Sequence, residues 1–211
     1  MAIKTQGTIL SVETALASTK AITGATAANP VVVTATAHGY TNGDIVKVAN
    51  VVGMVQLNNR AFVVANVTTN SFELKGVNGT NYTAYVSGGD SYKATMSAVG
   101  TVEGLPNMFT GTAPDIKTTH LLSVAEEKLQ GLQDFGDMSM SMLLDTADTG
   151  QLAMQQAKED QAEKVFTIAL VNSTKACFVG FVKSYQVTAP QNDVFRATSS
   201  VSLKAAPSRF A

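Results

Sequence analysis

Few residues in this chain are of a type and spacing that could do chemistry. The histidines are His38 and His120, and neither has a second histidine or a cysteine at metal-ligand spacing, so a zinc site is not expected. The lone cysteine, Cys177, sits in the alternating stretch KACFVGFVKSY and reads as a buried, inert thiol on a strand. Asp134 and Asp137 are the one pair of acids that could share acid–base work, as in a hydrolase of cell-wall polymer. Acids in a glycine-rich turn are more often simply solvated. Asp145 and Asp148 lack the alternating oxygen ligands and terminal Glu of a calcium loop, and suit the first turn of a helix better. The chain has no GxSxG, no GxGxxG and no phosphate loop ending in Gly-Lys-Ser/Thr. The expectation is a protein with no catalytic residues, no metal and no cofactor.

The most patterned segment is GDMSMSMLLD, Gly136 to Asp145. On a strand, Met138, Met140, Met142 and Leu144 point one way, while Ser139 and Ser141 point the other. A methionine metal site would need soft ligands converging from a second segment, and none is evident. The economical reading is a Met row filling an apolar layer, with a Ser row toward water. TSSVSLKA repeats the design, with Ser200, Ser202 and Lys204 opposite Ser199, Val201 and Leu203. Such hydroxyl-rich, weakly charged faces suit an aqueous wall along which something slides without sticking. A different use of side chains is offered by Tyr40, Tyr82, Tyr85 and Tyr92. Tyrosines on β-loops bind sugars or a host surface, with Tyr82 and Tyr85 the candidates, although in small barrels they more often complete the core.

The elements that must position these residues are mostly strands. KTQGTILSVET reads as a first strand that needs partners from the end of the chain. From Val31, VVVTATAHGY, IVKVANV, NNRAFVVANV, SFELKGV, NYTAYV and SYKATMSAV read as short strands with a turn at Asn42-Gly43. VANV occurs at 48–51 and again at 64–67, which suits two strands of one barrel each ending at a turn. Residues 101–119 hold two prolines and little periodicity and read as a long loop or arm, and HLLSVAEEKLQGLQDFG as a turn or short helix with loop. DTADTGQLAMQQAKEDQAEK is the one helical window, with Ala153, Met154 and Ala157 on a narrow face that should lie close to a sheet. VFTIALVN, ACFVGFVKSYQVTA and VFRATSSVSLKA are the final strands, and APSRFA an arm or frayed end. The division expected is 1–23 with 98–211 as one discontinuous domain, interrupted by a module at 24–97.

Hydrophobic residues make up 45%, enough for a real core, whereas charged residues are only 15% against about 25% in an average protein. A surface that low in charge suits coverage by partner chains, or equally a hydroxyl-rich β protein. Net charge is −1, so no global field attracts nucleic acid. The distribution is uneven. Ten acids face three bases between Asp115 and Glu163, while six bases face one acid from Lys164 onward, a split that suits head-to-tail association. MAIKTQGTILSVE does not read as a secretory leader, and no apolar run reaches the ~20 residues that span a bilayer. The reading is a protein made to stay inside a cell.

LQGLQDFGDMSMSMLLD, TGQLAMQQA and VFTIALVNSTKACFVGFVKSYQVTAPQNDVFRATSSVSLKA, in that order and with the opening KTQGTILSVET, resemble the major tail tube protein of long flexible-tailed bacteriophages. The resemblance covers about residues 1–20 and 100–211. It implies a mostly β fold, a tail-tube β-sandwich or barrel with one flanking α-helix. It further implies hexameric rings stacked into a tube, a lumen that conducts the genome, and residence in the virion tail after assembly in the host cytoplasm. The partners implied are copies of itself, the tape measure, tail tip and tail terminator proteins, and genomic DNA passing without specific binding, with no membrane. Ser139, Ser141, Ser200 and Ser202 would then face the lumen. Leu105, Pro106, Met108, Phe109, Pro114 and Asp115 would belong to an arm that orders when the next ring docks. ANPVVVTATAHGYTNGDIVKVANVVGMVQLNNRAFVVANVTTNSFELKG resembles a small all-β barrel module of phage structural proteins, similar in pattern to the first catalytic cysteine half-domain of ubiquitin-activating enzymes. That likeness bears on fold alone, since no adenylation motif accompanies it.

Overall fold

The computed structural model describes residues 4–208. The chain forms β1 (Ile9–Leu16), β2 (Lys20–Ala21), β3 (Gly24–Ala25), β4 (Val31–Thr34), β5 (Ile45–Ala49), β6 (Arg60–Ala65), β7 (Ser71–Leu74) and β8 (Asp90–Ala98). It continues with β9 (Val102–Asn107), β10 (Asp115–Lys117), β11 (Lys128–Gln130), β12 (Asp137–Leu143), α1 (Thr149–Glu159), β13 (Glu163–Ala169), β14 (Lys175–Thr188) and β15 (Arg196–Leu203). The fold is mostly β with a single α-helix among the described residues. Thirteen strands join one curled antiparallel sheet in the order β3-β4-β7-β6-β5-β8-β1-β13-β14-β15-β12-β9, with β2 also on β8, and β10–β11 stand apart as a hairpin. The first strand does take its partner from the end of the chain, Ile9 to Val12 pairing with Ala169 to Phe166.

β8 is the joint of the molecule. Its first half pairs with β5 (Asp90 with Ala49 through Ala94 with Ile45), and its second half pairs with β1 (Ala94 with Leu16 through Ala98 with Ser11). Two apolar cores lie on either side. One gathers Leu10, Val12, Phe166, Ile168, Phe178 and Val201 with the Met row and with Met154 and Ala157 of the helix. The other gathers Val31, Val33, Val46, Val48, Met54, Leu57, Phe62, Phe72 and Leu74. A third, smaller cluster joins Ile45, Ala61, Val63 and Ala94 to Val165, Cys177 and Val179, so the two halves share buried surface as well as backbone pairing.

Local chemistry explains the element ends. Both VANV copies close a strand, β5 and β6, and the asparagine of each, Asn50 and Asn66, takes a left-handed conformation (φ 60° and 46°) that Asn tolerates well. Asp148 caps α1: one carboxylate oxygen accepts from the Gln151 amide at 2.7 Å, and the other accepts from Gly100 at 3.2 Å. At Gly150 a β-carbon would lie 2.4 Å from the Ala98 carbonyl oxygen, so this glycine is what lets the helix sit directly on the β8 backbone. Buried Gln151 completes the seat, donating to the Leu143 carbonyl at 2.8 Å and accepting from Asp145 at 3.1 Å.

Four expectations are corrected. NYTAYV is not a strand: Tyr82 and Tyr85, three residues apart, both turn onto the core, which strand alternation forbids. Residues 101–119 are not one loop, because Val102–Asn107 pairs with β12 as β9. Register slips between Ser139 and Met142 hide its alternation, and Pro106 is tolerated because β9 is the last strand of the sheet. HLLSVAEEKLQ contributes a strand rather than a helix, with β11 pairing β10 from Asp115–Gln130 to Lys117–Lys128. The segment up to Ser208 is docked and not frayed: Ser208 donates its amide to the Cys177 carbonyl at 2.7 Å, and its hydroxyl accepts from the Cys177 amide at 2.6 Å. The last three residues of that expected arm lie outside the described ones.

Candidate functional site

The Met and Ser rows fall as alternation demands. Met138, Met140 and Met142 are buried to 2% exposure or less, and Ser139 and Ser141 are half-buried on the opposite face. Strand register then extends the hydroxyl row sideways. Ser139 lies beside Ser200, Ser141 beside Thr198 and Asp137 beside Ser202. Ser200 in turn lies beside Ser184, and Thr198 beside Gln186. All four candidate serines, Ser139, Ser141, Ser200 and Ser202, therefore share one face of the four-stranded layer β14–β15–β12–β9, while Ala197, Ser199, Val201 and Leu203 turn inward.

Charges on this face cancel locally. Lys183 meets Asp137 at 2.9 Å, and Arg196 meets Glu103 at 3.3 Å and Asp193 at 2.5 Å. The Lys183 ammonium, hydrogen-bonded to Asp137, holds that carboxyl below its ordinary value. Phe181, 41% exposed, lies at the end of the Ser202 row.

The layer has two open edges. β9 pairs only with β12, so its outer side has no partner among the described residues. β14 leaves its partner β13 at Phe181, so Val182 to Thr188 pairs with β15 alone. Unpaired backbone along both edges is a template for another chain.

Beside the β9 edge, where the curled sheet fails to meet β1 and β13, lies a groove of about 760 Å³. Leu10, Val102, Leu105, Met108, Ile168 and Leu170 form its apolar part, with Lys4 and Glu103 at its polar part. The residues expected in one arm thus separate. Leu105 and Met108 line the groove, Pro106 lies in β9, and Phe109 packs edge-on to Phe178 at 5.5 Å in the core. Pro114 and Asp115 belong to the base of the β10–β11 hairpin, where the Pro114 carbonyl accepts from Gly131 at 2.7 Å and Asp115 faces Lys128 at 3.4 Å.

The hairpin itself carries residues that the sequence reading passed over. Leu121 and Val124 are fully exposed, Leu132 93% and Leu122 88%, with Ile116 and Leu129 also outward. The only signal was HLLSV, an apolar run without alternation, inside a stretch read as turn and loop.

The remaining candidates are committed elsewhere. Tyr82 packs on the second core and its hydroxyl accepts from Arg60 at 3.1 Å, while the Tyr85 hydroxyl donates toward the carbonyls of Ile22 and Gly88, each at 3.1 Å. Asp134 accepts from the Gly136 amide at 2.9 Å and Asp137 holds Lys183, so each carboxylate has its own partner. Buried His38 accepts from the Tyr40 amide through Nδ1 at 3.0 Å, and exposed His120 is bonded to Ser123. Burial pushes the Cys177 thiol up to about 12. Among the described residues, no three His, Cys, Asp or Glu side chains are grouped to hold a metal ion. Among the described residues, no helix is long and apolar enough to cross a membrane.

Residues 28–93 match the family described as the ubiquitin-activating enzyme E1 FCCH domain, so the middle of the chain is similar to a β module of that kind. No curated protein matches the sequence. Among solved structures, the six-fold symmetrised baseplate of the anti-feeding prophage is similar over 79% of this chain and 91% of that one, at 9% identity and a TM-score of 0.41.

Proposed function

We propose that this chain is a structural subunit of a bacteriophage tail tube, in which copies join edge to edge into hexameric rings and the rings stack around a central bore. The observation that carries the reading is the four-stranded layer with an apolar face inward, a hydroxyl face outward and open edges at β9 and at the far half of β14. Pairing the β9 edge of one copy with the β14 edge of the next satisfies both and leaves no open edge in that four-stranded layer. Four strands from each of six copies would close a barrel of about 24 strands, wide enough for a water-filled channel. The resemblance to tail tube proteins supplies the six-fold number and the cargo.

A lumen walled by Ser139, Ser141, Ser200, Ser202 and Thr198, with its few charges paired, grips a polyanion nowhere. Basic and aromatic linings give nucleic acid counterion-release and stacking energy, and this face offers little of either. Double-stranded DNA would pass without being held. On this reading the tape measure protein fills the bore before the genome does, and the tail tip and terminator proteins close the two ends. The chain does no enzymatic work, and the 28–93 module decorates the outside of the tube.

Negative-stain microscopy of concentrated protein tests this directly. The expected images are rings or tubes with a stain-filled centre and six-fold views down the axis. A chain that remains monomeric at high concentration overturns the proposal.

A further inference from the structure

We infer that the segment Lys204–Ser208 is an edge guard, held shut by the 28–93 module over the near half of β14, and that its opening frees both that edge and the thiol of Cys177. This device is independent of the tube reading. The need for a guard follows from strand register. β14 pairs with β13 from Lys175 to Phe181, but β15 reaches it only from Gly180 onward. Left uncovered, Lys175 to Val179 would be an open edge on that side, and open edges recruit other chains. The segment covers this edge without being a strand. Lys204 donates its amide to the Val179 carbonyl at 2.9 Å, and Ser208 donates its amide to the Cys177 carbonyl at 2.7 Å. The Ser208 hydroxyl accepts from the Cys177 amide at 2.6 Å, standing where a ladder carbonyl would. Ser208 is itself buried and lies beside the Cys177 thiol as well.

Alone, the segment would hold weakly. Between its bonded ends come only Ala205, Ala206 and Pro207, half-buried side chains too small to bury much apolar surface, so it can open while the sheet stays folded. The module supplies the missing hold at two points. Arg60 of β6 is fixed within the module: Nη1 donates to the Gln56 carbonyl at 3.2 Å and to the Tyr82 hydroxyl at 3.1 Å, and the guanidinium lies over Phe62. Its other donors reach out to the segment, Nε to the Ala206 carbonyl at 3.1 Å and Nη2 to the Pro207 carbonyl at 3.4 Å. A fork already oriented in this way loses little entropy in gripping two carbonyls. At the start of the segment, Glu163 meets Lys204 and also Lys47 of β5, the latter at 3.6 Å. Beyond being a decoration, the module thus keeps a third pairing edge closed.

Cys177 is the built-in reporter, being the only cysteine and buried. Two full-length variants loosen the guard from opposite sides. Ser208→Pro removes the amide donor and the hydroxyl acceptor, whereas Arg60→Met keeps an aliphatic stem over Phe62 and removes every donor. Each should raise the rate at which Ellman's reagent labels Cys177 by at least about tenfold while the circular dichroism spectrum stays native, since net hydrogen bonds are lost from the closed form alone. That faster labelling should be nearly independent of urea below the unfolding transition, because a local opening exposes little surface. Both variants should also sediment as larger, irregular species than the wild type at equal concentration. Labelling as slow as in the wild type, or labelling that accelerates steeply with urea as global unfolding does, overturns the guard. Faster labelling without added association overturns its role in closing an edge. A wild-type chain that stays monomeric overturns the tube reading and leaves the guard to be judged by the labelling and sedimentation of the variants.

Discussion

Individual side chains divide cleanly into those that hold the fold and those that make a surface. Met140, at 2% exposure in a layer shared with Phe166 and Val201, belongs to the first group. Met140→Ala should cost about 2–5 kcal/mol by chemical denaturation, whereas Ser139→Ala or Ser141→Ala on the same strand should stay within about 0.5 kcal/mol. Cys177 should resist iodoacetamide at pH 8 in the folded protein and react at once in denaturant. Glu13 is a buried acid whose burial raises its pKa, against the opposing pull of the Val165 amide at 3.0 Å and of Lys164. The folded state then binds its proton more tightly than the unfolded state. Stability from this group is complete below the ordinary carboxylate range and declines as pH rises through and above it. Glu13→Gln should therefore be more stable than the parent at pH 7, with the difference vanishing near pH 3. Asp137 has the opposite sign: its lowered pKa gives stability above the ordinary range that is lost in acid, and Asp137→Asn should remove that part of the acid dependence. Thermal midpoints across pH for both variants check the two signs.

At the scale of elements, close approach matters more than any single bond. Gly150 lets α1 rest on the β8 backbone, and a methyl group there would meet the Ala98 carbonyl at 2.4 Å, backbone that cannot yield easily. Gly150→Ala should destabilise by about 1–3 kcal/mol despite raising helix propensity, and calorimetry would show it. The helix, its cap and its narrow face were legible in the sequence because Asp148, Ala153, Met154 and Ala157 follow local rules. So were β12 and β15, whose alternation is unbroken. β9 was not, since its ladder slips register twice and contains Pro106. The hairpin was not either, because its exposed leucines break the rule that apolar residues mark the core. Pairing of β12 with the distant β15, which builds the shared serine face, has no local signature at all; the rows could be seen, but not that they lie side by side.

Across the whole molecule, most of the C-terminal bases find acids inside one copy. The bases after Lys164 meet acids of the same chain: Lys164 with Glu13, Lys183 with Asp137, Arg196 with Glu103, and Lys204 with Glu163. Most of the basic side of the head-to-tail association expected from sequence is thus already paired within the chain. Assembly driven by backbone pairing of strand edges should change little when salt is raised from about 0.05 to 0.5 M, a range that shortens the screening length to a few ångströms. Light scattering across that range would reveal a steep salt dependence if charge were the main attraction. The two cores could be anticipated from the shift in texture at Val31 and again after Val99. The manner of their union could not, because it depends on β8 and on Arg60, whose guanidinium donates to the carbonyls of Ala206 and Pro207 at the far end of the chain.

That union has a mechanical corollary. A strand whose two halves knit into different neighbours offers no hinge between them, and the Arg60 tie and the small joint cluster brace it from the side. Force applied to the 28–93 module would load several ladder bonds in parallel rather than peel a tether. Pulled from that module in an optical trap, the molecule should yield in one rupture, with the module acting as a stiff lever on the body beneath it.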